Sequence, residues 1–570
     1  MGVPKLFRWL ANKYPEIIQK PNSTNIFDIL FFDLNSLIHP VCQGLTNENT
    51  MFEKIKEYIL YIVNIVKPSK SVYCVMDGVA PYAKILQQRQ RRYKSIDNKR
   101  KKFEFNKKYN LQCHKEWDSN AISPGTLFMK KLSEFLKKEL VNSNPNIKWH
   151  INDTYSVGEG EHKIMEIIFN ETNYHNSKQN SLNVCIYGMD ADLILLSWCL
   201  YLRKSICISL IREKNNMNKN RNCETEFIYL HIEALIQCFL KEYMNTDIVN
   251  LANCNQKQIC FDFIYLTILL GNDFLPPLFG INISSNGIEY LLNIYRICFN
   301  KNNMFHLVNT DNGNIKIQYT YLLEFLIELD KIYFDKIIPE FYLEYMNYEP
   351  KVRNNFQLLQ QLKGYTENEK KQIMKEYNEL ETIFDKEDPL YICDLSDLQS
   401  IELFKKIYYE RYFYILSDSE KFQNRIIENY LTGFNWIMDY YTKFYYSKKQ
   451  SISFGFNYIY YQSPMLSNII DYLKTYIRNG QNNFTIKYLN EPYVPYHPFS
   501  VYQSLSLILP KESYYLIPKG FVENLNKEII EQHIYNKELE KVVYIKDYKI
   551  HYSECHIKLE KIEYKKLFTK

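Results

Sequence analysis

The sequence has no Cys-x-x-Cys pair, although thirteen cysteines are scattered through its 570 residues. That dispersal argues against a thiolate zinc site or a disulfide framework and points to a reducing compartment. No secretory leader is expected either. The first residues, Met1-Gly-Val-Pro-Lys-Leu-Phe-Arg-Trp-Leu10, put Lys5 and Arg8 where a leader needs apolar side chains. Gly2 would suit myristoylation, but Leu6 stands where that motif needs Ser or Thr. The apolar runs near 59–66 and 261–270 are too short to span a bilayer, so a soluble intracellular protein with no membrane partner is expected. Charge of one sign is scarce as well: a net +5 decides little, and where the charges lie matters more.

What is present suits a folded chain of two or three domains, 46% hydrophobic and 24% charged. Its 50 tyrosines reflect compositional drift, so scattered tyrosines are not read as base-stacking platforms.

Three apolar, strand-like runs each lead into an aspartate: Ile26–Phe32 into Asp33, Ser71–Met76 into Asp77, and Val184–Met189 into Asp190. In a parallel sheet the carboxyl ends of such strands share one edge, which is where open α/β folds bind ligands. Asp33, Asp77 and Asp190 should therefore converge. Asp192 follows in a helical continuation, and Glu159 and Glu161 lie in a glycine-broken loop before a helix expected over Lys163–Phe169. One such pair alone would read as acids in a first helical turn. Two pairs, each beside glycine, repel one another unless a cation sits among them, and oxygen-only ligands favour Mg²⁺ or Mn²⁺. Asp273, in Gly271-Asn-Asp-Phe-Leu-Pro-Pro277 at the end of a helix near 258–270, is a seventh candidate, in a position that also reads as a helix C-cap.

Pro81 opens a long helix running to about 108, with eleven Lys or Arg between Lys84 and Lys108. Lys84, Gln88, Arg91 and Arg92 are spaced i, i+4, i+7 and i+8, so they share a face beside the acidic edge, as a phosphate pocket requires. Beyond Lys94 a solvated basic helix, or loose attraction to a nucleic-acid backbone, is the expectation. The remaining chain reads as a helix over 123–141, strands at 147–152 and 206–211, a low-complexity loop Lys214–Asn222, and a helix near 230–244. Four divisions follow: a catalytic core over 1–300, a helical linker or insert over 301–385, a second segment over 386–520 packing on the core, and a tail over 521–570. Trp436, in an amphipathic helix of the second segment, belongs in a core on base rates of burial.

These stretches together resemble the Xrn family of 5′→3′ exoribonucleases. The resemblance is carried by Met1–Leu10, Asp33-Leu-Asn-Ser-Leu-Ile-His39, Met76-Asp-Gly-Val-Ala-Pro81 through Gln87-Gln-Arg-Gln-Arg-Arg92, and Trp117-Asp-Ser-Asn-Ala-Ile-Ser-Pro-Gly-Thr126. It continues in Gly158-Glu-Gly-Glu-His-Lys163, Gly188-Met-Asp-Ala-Asp-Leu193 and Gly271–Pro276, and more loosely in 386–518. The chain departs from the family at Pro277, where His is usual, and over Ser453–Pro464, which lacks the expected tryptophans and histidine. The resemblance leads to the expectation of a short form without the long carboxyl-terminal domains.

The resemblance implies an α/β, flap-nuclease-like (PIN-like) core with a mainly parallel, twisted central sheet flanked by helices, extended by a mostly helical second segment. It implies that Asp33, Asp77, Glu159, Glu161, Asp190, Asp192 and Asp273 are catalytic and hold divalent metal, two Mg²⁺ with Mn²⁺ able to substitute. Lys84, Gln88, Arg91 and Arg92 would bind the 5′-monophosphate of single-stranded RNA, with His39 and Trp436 against the terminal base. Single-stranded DNA is a second candidate substrate. The absence of a zinc knuckle and of a clear import cluster leans toward the cytoplasm. Two alternatives stand beside this: a structure-specific flap endonuclease, for which no Gly-rich hairpin follows Asp273, and a non-catalytic RNA-binding protein, against which all seven acids argue.

Overall fold

The computed structural model describes residues 2–22, 25–112, 117–143, 146–175, 182–214, 226–244, 254–302, 304–311, 314–346, 356–380, 398–413, 420–444, 454–480, 498–523, 525, 544–545, 555–557 and 559. The low-complexity run after Lys214, the boundary near 386 and most of the tail after 525 lie outside the described residues.

A seven-stranded sheet forms the centre, built from β1 (Ile18–Gln19), β2 (Ile29–Asp33), β3 (Ser71–Val75), β4 (Lys148–Asn152), β5 (Asn183–Tyr187), β6 (Cys207–Glu213) and β7 (Phe227–His231). Its order is β1-β7-β6-β5-β2-β3-β4. The five strands from β6 to β4 are parallel, while β7 runs antiparallel to β6 and β1 antiparallel to β7. β2, all five residues buried, reads as a continuous apolar run because helices cover both faces of the sheet. Its side chains alternate. Phe31 joins Tyr73 and Val75 in one core, whereas Leu30 and Phe32 join Val72 and Cys74 in the other.

Helices α1 (Leu6–Lys13), α2 (Leu34–Cys42), α3 (Glu48–Val66), α4 (Tyr82–Lys108), α5 (Leu127–Val141), α6 (Gly160–His175), α7 (Asp192–Lys204), α8 (Ile232–Met244) and α9 (Cys254–Ile268) surround it. α3 starts after Asn47, whose side chain accepts from Thr50 N at 3.0 Å and so caps the helix. α3 and α5 pack on the Leu30 face; α6 and α7 pack on the Phe31 face. Among the described residues no helix is long and apolar enough to cross a membrane.

The second segment is not a separate body. Tyr430, Trp436 and Tyr440, on the helix Glu420–Thr442, belong to the same core as Phe31 and Leu195, and that helix packs against α7 and α9. The 301–385 stretch holds helices, as expected, together with an unexpected strand pair Val308–Asp311 and Asn314–Ile317.

α4 is packed against other segments at points along its length, while Phe103, Glu104, Lys107 and Lys108 beyond Lys94 stay exposed. Its first turns, Tyr82 and Ile85, pack against Phe499, Leu505 and Ile508. Its far end, Phe105, packs with Leu358, Leu362 and Ile373. The charges there are matched locally: buried Asp97 takes Arg100 at 2.7 Å and Lys101 at 3.1 Å, and Lys108 meets Glu376 at 2.7 Å. In between, the Gln90 carboxamide donates to Ile557 O and accepts from Ile557 N, each at 2.8 Å, laying a distant strand, His556–Ile557, on the helix.

Candidate active site

β2 lies between β3 and β5 in parallel register, Asp33 opposite Val75 and Phe32 opposite Tyr187. The chain leaves all three strands on the same side. Asp33 closes β2, Asp77 lies two residues past β3, and Asp190 lies half-buried in the turn from β5 into α7. Asp192 opens α7, and Glu161 stands in the first turn of α6 rather than in the loop expected there. α6 begins early because Gly160 N donates to Asp77 Oδ1 at 2.7 Å, which satisfies a free amide of the helix start. A β-carbon at Gly160 would lie 3.0 Å from Asp33 Oδ1 and 3.2 Å from Asp77 Oδ1, so both carboxylates would have to shift to admit one. The amino end of the chain closes the other side. Gly2, buried at φ +51°, leaves no room for a β-carbon against the Asp192 carboxylate.

Crowded carboxylates in a dry site resist ionisation. Burial and then Asp77 push Asp33 up to about 7, while the Ser36 hydroxyl, which donates to Asp33 Oδ2, opposes the rise. Burial and then Asp192 hold Glu161 well above the carboxylate range. Burial and then Asp273 raise Asp192 to about 6. Asp273 goes the other way. Burial opposes its charge, but Lys84 and then Arg91 outweigh it and hold the carboxyl below its ordinary value.

The cations come from α4. Lys84 Nζ lies 2.6 Å from Asp273 Oδ2 and 3.0 Å from Glu159 Oε1, and Arg91 Nη2 lies 3.3 Å from Asp273 Oδ2. Gln88 is buried on the same face. Arg92 behaves differently. Its Nε donates to Ser123 Oγ at 3.0 Å and its Nη2 to Ile122 O at 3.2 Å, so it is anchored to the 119–126 loop. His39, in the last turn of α2, keeps an exposed ring. Partial loss of hydration, then Arg92 and Arg91, lower its pKa to about 4, leaving the ring neutral at pH 7.

Trp436 is fully buried, stacked with Tyr440 at 5.1 Å and with Phe456 at 5.1 Å, with Phe274 edge-on at 5.0 Å. It lies in the core, where base rates of burial place it, with aromatic neighbours from three segments around its ring.

Three site residues escaped the sequence reading. Tyr441 Oη donates to Asp192 Oδ1 at 2.8 Å, and Tyr440 Oη donates to Glu159 Oε2. Their signal, a Tyr-Tyr pair one turn after Trp436, is hidden among 50 tyrosines. Buried Lys163 donates to Met76 O at 2.8 Å, Asp153 O at 2.9 Å and Asn152 Oδ1 at 3.2 Å, tying the ends of β3 and β4 together behind Asp77.

Six of the acids thus share one edge with Lys84 and Arg91, and Asp190 borders it. Lys84 stands between Glu159 and Asp273, and among the described residues no three His, Cys, Asp or Glu side chains form a ready coordination sphere. The donor chemistry nevertheless fits a hard divalent cation. It is all carboxylate, and several members resist ionisation because they are buried beside one another.

Residues 1–214 match the family described as XRN 5′-3′ exonuclease N-terminus. Over these residues the chain is similar to that family. Xrn relatives extend the likeness further along the chain. It is 28% identical to human 5′-3′ exoribonuclease 1 over 576 aligned residues, which cover 93% of this chain and 32% of the human protein. Identity to Saccharomyces cerevisiae 5′-3′ exoribonuclease 1 is 32%, covering 59% of this chain and 23% of the yeast protein. Identity to Gallus gallus 5′-3′ exoribonuclease 2 is 29%, covering 57% and 41%. The chain therefore spans between about a quarter and two fifths of the length of these Xrn relatives.

Proposed function

We propose that the protein is a 5′→3′ exoribonuclease that hydrolyses single-stranded RNA from a 5′-monophosphate end and releases nucleoside 5′-monophosphates. The observation that carries this reading is the meeting of the acidic sheet edge with the basic face of α4 at Asp273, in a chain whose relatives are named as exoribonucleases of that polarity.

In this reading Asp33, Asp77, Glu159, Glu161, Asp190, Asp192 and Asp273 hold Mg²⁺, with Mn²⁺ as a substitute. Two such ions, when bound, would activate the attacking water and stabilise the departing 3′ oxygen. Lys84 and Arg91 hold the terminal phosphate by charge-assisted bonds, and Arg supplies a planar fork that suits phosphate oxygens. Gln88 lines the same pocket, while Arg92 holds the pocket wall through Ser123 and Ile122. Neutral His39 stacks on the terminal base, an interaction indifferent to sequence. Fixing the 5′ end one nucleotide from the acids makes cleavage directional.

Incubation with Mg²⁺ and 5′-phosphorylated single-stranded RNA tests the reading. Mononucleotides are expected, with circular single-stranded RNA left intact. Cleavage of the circle, or of a DNA flap in preference to RNA, would overturn it.

A further inference from the structure

We propose that Tyr440 and Tyr441 are positioning residues that fix two carboxylates for the divalent cation, so that the second segment completes the acidic site of the first. The inference rests on reading the acids as metal ligands.

Both tyrosines are fully buried on the helix Glu420–Thr442, more than 240 residues along the chain from the acids they meet. Being consecutive, their side chains diverge by about 100° around the helix axis. One helix thereby reaches two carboxylates on two different elements, Glu159 just before α6 and Asp192 at the start of α7. At Asp192 the phenol hydroxyl is the donor and the carboxylate oxygen the acceptor. Donation to Asp192 Oδ1 fixes the rotamer of that carboxylate while its Oδ2 is not engaged by the tyrosine. At Glu159 the two oxygens are divided: Oε2 takes Tyr440 and Oε1 takes Lys84 at 3.0 Å.

The direction of the Tyr440 phenol is itself fixed. Its ring is held by Trp436 at 5.1 Å, by Phe274 at 4.7 Å and by His162 at 3.8 Å. Phe274 follows Asp273 and His162 follows Glu161, so the same aromatic column runs beside two further acids. This gives Trp436 a place in the site without contact to a base.

Outer groups that orient metal ligands change metal affinity by about 10- to 100-fold when removed. The test is calorimetric titration of the full chain with Mn²⁺, comparing Tyr440→Phe, Tyr441→Phe and Tyr295→Phe with wild type. Tyr295 is the control, because its hydroxyl makes a bond of the same chemistry, 2.6 Å to buried Asp262, in the cluster with His306 and Val308. Mn²⁺ affinity should fall by about 10- to 100-fold in each of the first two variants. Tyr295→Phe should lower the melting temperature and leave Mn²⁺ affinity unchanged. Wild-type affinity in both site variants, or an equal loss in Tyr295→Phe, overturns the proposal. A wild-type protein that binds no Mn²⁺ overturns the metal reading and the proposal together. Mn²⁺ binding without RNA hydrolysis overturns only the proposed activity.

Discussion

Lys84 Nζ sits 2.6 Å from Asp273 Oδ2, with each side chain only 6% exposed. An ammonium from the helix proposed to hold the substrate phosphate is thus an internal counterion of the proposed metal site. Removing one partner of a buried pair leaves the other charge uncompensated and costs about 3–5 kcal/mol. Lys84→Met should lower stability in metal-free buffer by about that amount in urea denaturation. Added Mg²⁺ should restore more stability to the variant than to wild type, because the acids it frees then depend on the ion.

Asp33 gives a pH-dependent prediction. Its pKa in the folded protein is raised to about 7, so its protonated form is favoured by folding and that contribution fades as pH rises toward 7. Asp33→Asn removes the penalty of the buried charge. Without metal, the melting temperature of Asp33→Asn should exceed wild type at pH 8, and the gap should close as pH falls below 7 toward 4. With Mg²⁺ and RNA the same variant should be inactive. A constant gap from pH 8 to pH 4 would show that Asp33 is not the titrating group.

Arg91 and Arg92 should separate kinetically. Arg91 reaches into the acidic edge, whereas Arg92 is tied to Ser123 and Ile122. Losing a charge-assisted bond costs about 1.5–3 kcal/mol. Arg91→Ala should lower kcat/KM on 5′-monophosphate RNA by about 10- to 100-fold and leave the slow rate on 5′-hydroxyl RNA nearly unchanged. Arg92→Ala should lower the melting temperature and affect both substrates. Equal losses in Arg91→Ala on both ends would mean that it attracts backbone only.

His39 and Trp436 should part in the opposite way. His39→Ala should slow turnover by about ten- to hundredfold on every sequence with little change in melting temperature, as expected when a stacking partner is lost. Trp436→Ala should destabilise by about 3–5 kcal/mol, the usual cost of emptying a buried aromatic site. A stable Trp436→Ala with a purely kinetic defect would contradict the packing described above.

Much of the central sheet was legible because its signals are local. Buried parallel strands are continuous apolar runs, and β2, β3 and β5 each announce their ends with an aspartate. The basic face of α4 was legible from helical spacing alone, and its observed span, Tyr82–Lys108, follows the sequence closely. What was not legible depends on partners far along the chain. Nothing near Tyr440 or Tyr441 indicates Glu159 or Asp192, and nothing near Arg92 distinguishes an anchor from a pocket cation. The early start of α6 at Gly160 is set by Asp77, a group outside the helix and 83 residues away.

The surroundings of α4 bear on where this chain can be cut. Its first turns are covered by residues near 499–508, its middle by residue 557 and its far end by residues near 358–373. Those partners all lie beyond residue 214, where the family match ends. A fragment stopping there would carry α4 with Tyr82, Ile85 and Phe105 bare, an exposed apolar stripe that favours self-association. The end of the matched amino-terminal domain and the limit of independent folding are therefore different places in this molecule. Loop closure over several hundred residues must precede the seating of the helix, which predicts slow, late maturation of the pocket it carries.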